Sequence, residues 1–197
     1  MTRSKRQIQK SQTRQQIIEA AIHQFAKDGL TGARTSDIAL SANVSHGTVF
    51  VHFPTRELLL DTVIEEFGLR LAKRLHELVG DHCDMKDVLF AHIRGIREYE
   101  TFYTRLILEG RFLSESSRHS FIMIQSTISF HMIQIAEKDM QNNKICSQPV
   151  DLLFNTWIGL IHHYLINGDL FAPNGSVLEK YGEQLIDHYL NLIKGEY

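Results

Sequence analysis

Three features of this 197-residue sequence predict an all-α fold. Apolar residues recur at threes and fours along nearly the whole chain, the period of a helix with one buried face. No run of four or more residues alternates apolar and polar side chains as a half-buried strand would. Only 3 Pro are present, so few positions force a helix to stop. With 43% hydrophobic and 22% charged residues, the composition suits a packed core and lacks the polar bias of disorder.

The first helix is expected to open at Thr13, where Gln16 three residues on completes a capping-box pattern. Ile17, Ile18, Ala21, Ile22 and Phe25 form its stripe, and Asp28-Gly29 ends it. Thr35 is a good cap for a short second helix carrying Ile38 and Ala39, ending near Asn43. Ser45 caps a third, from His46 to about Phe53, which Pro54 stops. A long helix follows with Leu58, Leu59, Val63, Phe67, Leu71, Leu75 and Leu78 on one side, closed by Gly80. Met85 to about Leu108 reads as one helix interrupted around Thr101. After a polar loop from Leu113 to Arg118 comes a helix from about His119 to Met140, ended by Asn142-Asn143. Pro149 opens a strongly apolar helix from Val150 to Asn167. A loop rich in Asn and Gly leads to a last helix, capped by Ser176 with Glu179 and running to about Lys194.

The formal charge of −2 conceals a split. Up to Arg56 there are 8 Lys/Arg against 3 acids; the remaining 141 residues carry 13 basic and 20 acidic side chains. Such asymmetry suggests a basic module for a polyanion and an acidic module for something else. Within the basic part, Thr35 to Phe53 has the layout of a helix-turn-helix, whose second helix enters the major groove while the first braces it. Ala39 and Ala42 are small enough for close approach, and Asn43 tolerates a left-handed turn. Ser45, His46, Gly47 and Thr48 give the second helix a small polar start that lets backbone near DNA.

The residues Ile17-Ile18-Glu19-Ala20-Ala21 through Phe25-Ala26-Lys27-Asp28-Gly29 resemble the opening helix of the Tet-repressor (TetR) family of bacterial transcription regulators. Thr35-Ser36-Asp37-Ile38-Ala39, Val44 to Phe50, and His52-Phe53-Pro54-Thr55-Arg56-Glu57-Leu58-Leu59 continue the pattern in order and spacing. The resemblance covers about the first quarter of the chain. It implies a three-helix DNA-binding domain over residues 1–56, then a larger helical domain, 57–197, that binds a small ligand and dimerises, the two joined by the long helix from about 55 to 80. It also implies DNA-contacting roles for Thr35, Ser36, Ser45, His46, Gly47, Thr48, Phe50, His52 and Arg56, with Arg56 standing where a Lys is usual and Phe50 where a Tyr is common. Phe50 cannot donate the hydroxyl hydrogen bond, and Val51 removes a further base reader. Arg3, Lys5, Arg6 and Lys10 read equally as an arm toward flanking phosphates or as a disordered solubilising tail.

The implied protein is a repressor that binds a palindromic double-stranded operator as a homodimer and is released by a hydrophobic or aromatic small molecule. The ligand is expected among Phe67, Phe102, Tyr103, Met123, Gln125, His131 and Trp157, with His92 and His162 among further polar groups. The dimer interface is expected on the last two helices at Phe154, Trp157, Ile161, Leu165, Leu185 and Tyr189, because the first of these helices is apolar on more than one face. A helical protein-interaction module that kept the scaffold without a ligand response is the alternative. No catalytic constellation, metal or cofactor is expected: His162-His163 point in different directions, and His82-Cys83-Asp84 is half a zinc site at most. Without an apolar run of about 18 residues or a signal segment, and with two cysteines, a cytoplasmic chain without a membrane partner is expected.

Overall fold

The computed structural model describes residues 4–78 and 83–195. Arg3, the expected helix stop at Gly80, and His82 lie outside them. Ten α-helices are present among the described residues: α1 (Lys5–Asp28), α2 (Thr35–Ser41), α3 (His46–His52), α4 (Arg56–Leu78), α5 (Met85–Arg97), α6 (Glu100–Glu109), α7 (Glu115–Gln141), α8 (Val150–Ile166), α9 (Gly168–Phe171) and α10 (Val177–Lys194). None is long and apolar enough to cross a membrane. The fold is all-helical, as the periodicity predicts.

Four boundaries differ from expectation. α1 starts two turns before Thr13: Ser4 accepts from Gln7 N at 3.3 Å while Ser4 N donates to Gln7 Oε1 at 3.0 Å, a complete capping box. The added turns are mostly Lys, Arg and Gln, good helix formers, and every residue in them is exposed, so hydrophobic periodicity is silent there. Lys5, Arg6 and Lys10 therefore ride on a helix rather than a disordered tail. The break between α5 and α6 falls at Glu98–Tyr99, not Thr101. α7 starts at Glu115 inside the expected loop, where Ser114 Oγ accepts from Ser117 N at 3.1 Å. α9 is a single turn inside the other expected loop.

The helices divide into two compact units. Of the described residues, one holds those up to Phe67 together with Thr101–Phe121, and the other holds those of Gly68–Glu100 and from Ile122 onward. In the first, Ile17, Ile18, Phe25, Leu30, Ile38, Val49, Phe53, Leu59 and Val63 are buried, which fixes the mutual packing of α1 to α4. α6 closes on the end of α1. Arg105 Nε donates to Ala26 O at 3.3 Å, and the Glu109 carboxylate accepts from Thr31 N and Oγ1 at 2.9 and 3.0 Å. Gly29 takes φ +86°, a backbone conformation strained for any other residue, and a Cβ there would push against the Glu109 carboxylate.

In the second unit α10 packs on α5 and α8, around buried Val88, Leu89, His92, Ile96, Trp157, Ile161, Leu185 and Tyr189. Glu100 caps α10: its carboxylate accepts from Val177 N at 2.7 Å and Leu178 N at 3.1 Å, while Ser176 Oγ accepts from Glu179 N at 3.0 Å. Two carboxylate bonds at a helix start are favoured by the positive end of the helix dipole.

Candidate nucleic-acid interface

α2 ends in a Schellman turn. Asn43 takes φ +54°, Asn43 N donates to Leu40 O at 3.1 Å and Val44 N to Ala39 O at 3.0 Å. This closes the carbonyls that a helix end leaves open and turns the chain tightly into α3. The second Asn with positive φ, Asn143 (φ +54°), ends α7 with the same pair of bonds, to Met140 O and Asp139 O.

Ser45 then starts α3, its Oγ accepting from Thr48 N at 3.1 Å and lying 2.8 Å from Thr48 Oγ1. The cap of α2 is Arg34 rather than Thr35. Thr35 occupies the first helical position, and its Oγ1 lies 2.9 Å from His46 Nε2. His46 also stands edge-on to Phe50, ring centroids 5.0 Å apart at 76°. The polar start of α3 is thus held by its own hydrogen bonds and tied to α2, which limits the entropy lost on ordering it against a ligand.

Around this start, Ser36, Ser45, His46, Gly47 and Phe50 are exposed, and Thr35, Thr48, His52 and Arg56 are half-buried. Val49 and Phe53 point into the core. Val51, discounted on sequence grounds, is 72% exposed beside Phe50 at 41%, so the outward face of α3 is polar at its start and apolar toward its end. Burial and the charges of Lys10 and Arg14 hold His52 below its usual pKa, which places the basic side of α1 close to the end of α3. Arg14 also stacks over Phe53, 4.9 Å from the ring centre. Lys10 and Arg14 belong to the same basic surface, and periodicity has no means of placing them there.

Arg56, implied to contact DNA, also has donors engaged within the protein. Its Nε donates to Ala33 O at 3.1 Å and its Nη2 to Leu30 O, and the guanidinium lies 5.5 Å from the centre of the Phe25 ring. Those donors brace the α1–α2 connection, and a sequence pattern that aligns a cation with a phosphate position does not see them spent.

The residues expected to line a ligand site are divided between the two units. Phe67, Phe102 and Tyr103 pack as one aromatic cluster in the first unit, with centroids 5.5 and 5.9 Å from Phe67. Met123, Gln125, His131 and Trp157 fall in the second; there Met123 is exposed, Gln125 and His131 are half-buried, and Trp157 is buried. The residues expected at a dimer interface lie on α8 and α10 of the second unit. Trp157, Ile161, Leu165, Leu185 and Tyr189 are buried inside the protomer and Phe154 is half-buried. The solvent-facing side of α8 instead carries Leu152, Thr156, Gly159, His163 and Ile166 at helical spacing.

Known proteins resemble both parts of this architecture. The family pattern described as bacterial regulatory proteins, tetR family, matches residues 17–63. Over 60 residues the chain is 38% identical to the HTH-type transcriptional repressor Rv3405c of Mycobacterium tuberculosis, covering 30% of this chain and 32% of that protein. The chain thus spans about a third of the length of the curated relatives it matches. Two crystal structures match over nearly their whole length. PfmR, a TetR family transcriptional regulator from Thermus thermophilus, superposes with a TM-score of 0.74 at 16% identity, over 92% of this chain and 98% of that one. The regulator FadR from Bacillus subtilis, in complex with stearoyl-CoA, superposes with a TM-score of 0.75 at 20% identity, over 93% and 99%. At such identities the likeness speaks for the fold. Residues 17–63 thus carry the sequence pattern of the tetR family of bacterial regulatory proteins across the helix-turn-helix, and the chain as a whole has the fold of solved TetR family regulators.

Proposed function

We propose that the chain is a sequence-specific DNA-binding repressor that binds a palindromic operator as a homodimer and is released by a small hydrophobic molecule held in its C-terminal part. The observation that carries this reading is the outward face of α3. Ser45, His46, Gly47, Phe50 and Val51 are exposed together on a helix start fixed by the Ser45 cap and the Asn43 turn. One helix of seven residues reads too few base pairs for operator specificity, and two such helices related by a two-fold axis remedy this. The solvent-facing stripe of α8, Leu152, Thr156, Gly159, His163 and Ile166, supports pairing through that helix; Gly159, with open space where a Cβ would stand, permits close approach. Residues up to 56 supply the reading head. α4, which the two units share at Phe67–Gly68, is the link along which ligand occupancy changes the head's spacing. The energy available for release is the ligand's differential affinity for the two spacings.

Selection of duplexes from a random pool by the purified chain, followed by gel retardation, tests this. A two-fold symmetric site bound at moderate salt is expected. Recovery of unrelated duplexes only would overturn the reading.

A further inference from the structure

His92, on α5, is fully buried, and Trp157 Nε1 donates to its Nδ1 at 2.9 Å. An indole N–H only donates, so Nδ1 holds a lone pair and the ring proton resides on Nε2. Burial, with a smaller contribution from His162, lowers the His92 pKa to about 3, so at pH 7 the ring is neutral. Nε2 is then a lone N–H donor, and among the described residues no atom accepts from it. The ring cannot turn to relieve this, because doing so would break the Trp157 bond. Trp157 is itself held: its ring packs on Tyr189 at 5.1 Å between centroids, and Tyr189 Oη donates to Leu153 O at 2.5 Å. A buried donor without an acceptor loses its hydration with nothing in return, and a native fold that fixes one so firmly calls for an explanation.

We propose that the Nε2–H of His92 is the polar anchor of a binding site in the second unit for an uncharged, mostly apolar molecule that presents a carbonyl oxygen. The inference rests on the ligand-responsive reading above and names the chemistry of its site. One fixed donor matches one acceptor. Val88, Ile96 and Ile161 are buried in the same unit, and burial also lowers His162 to about 4. An interior that keeps two imidazoles neutral favours a neutral partner over a carboxylate.

The chain has one tryptophan, so Trp157 emission reports on this site in the full-length protein. The probes are 2-nonanone, 2-undecanone and acetophenone, each paired with the alkene in which CH2 replaces the oxygen. A ketone is expected to move the emission saturably and to bind about tenfold more tightly than its alkene, the worth of one hydrogen bond. Nitrogen-15 histidine spectra are expected to show the Nε2–H tautomer, with that proton shifting on ketone addition. His92→Phe should reduce the preference to within about twofold. His92→Gln, which can accept from Trp157 and still donate, should retain it, and this variant and the spectra decide should His92→Phe not fold. Equal binding of ketone and alkene, an Nδ1–H tautomer, or an Nε2 proton bonded only to an ordered water and unmoved by every ketone would overturn the proposal. Gel retardation with the same ketones separates it from the reading beneath. Ketone bound at His92 that leaves the DNA complex intact overturns release alone. Release by a molecule that neither moves Trp157 emission nor depends on His92 overturns the anchor alone.

Discussion

At position 56 the guanidinium donates to Leu30 and Ala33 carbonyls and stacks over Phe25, so its removal strands two acceptors at the α1–α2 connection. Arg56→Ala is expected to lower stability by about 2 kcal/mol, the scale of hydrogen bonds to a charged group, in chemical denaturation. The slope of log affinity against log salt should change by less than the roughly 0.9 that one phosphate contact contributes. His92 and His162 carry a different signature. Both are held neutral by burial, with pKa values of about 3 and 4, whereas an unfolded imidazole titrates near 6.5. As pH falls below about 6.5 the unfolded chain takes up these protons and the folded chain does not. Stability is therefore fully present above 6.5 and is lost toward 4, at roughly 1.4 kcal/mol per pH unit for each ring. Thermal denaturation across pH 4 to 8 measures this, and His92→Gln should remove about one proton from the dependence.

Among the elements, α3 shows best what sequence pattern and structure each contribute. The Ser45 cap, the Asn43 turn and the His46 start are readable, because caps and left-handed turns are local chemistry. Which residues face outward is not, because a seven-residue helix is too short for its stripe to be unambiguous. Val51 and Phe50, exposed side by side, suit thymine methyl groups in a major groove. Replacing thymine by uracil in the selected duplex should weaken binding severalfold at one or two positions, and Val51→Ala should erase part of that difference. α1 makes the complementary point. Its first two turns have no apolar stripe to mark them, although Ser4 with Gln7 is the same signature as Thr13 with Gln16; only the former is a helix start. Lys10→Gln is expected to weaken binding to all duplexes alike and to reduce the salt slope by about one contact.

At the scale of the molecule, the proposed pairing rests on the outward face of α8. Its apolar residues surround the helix, so composition alone cannot say which face is core and which is surface. The structure turns Trp157, Ile161 and Leu165 inward and leaves Leu152 and Ile166 outward. Leu152→Glu with Gly159→Glu should yield a folded monomer by light scattering and circular dichroism. Trp157→Ala should instead destabilise the fold by about 3–5 kcal/mol, as the loss of a buried ring does. A chain that stays dimeric with both glutamates in place would send the interface elsewhere.

Helical class, helix order, the caps at Ser45 and Ser176 and the turn at Asn43 follow from sequence alone, because propensity, capping and periodicity act over a few neighbouring residues. The resemblance to the tetR family is readable for the same reason: its motif is contiguous. Tertiary structure alone decided that Arg56 braces the α1–α2 connection, that the first unit gathers residues 101–121, that Glu100 caps a helix 77 residues away, and that His92 keeps a proton with no acceptor among the described residues. Each of these depends on groups distant in sequence meeting at hydrogen-bond range, and such meetings leave no periodic trace in the chain.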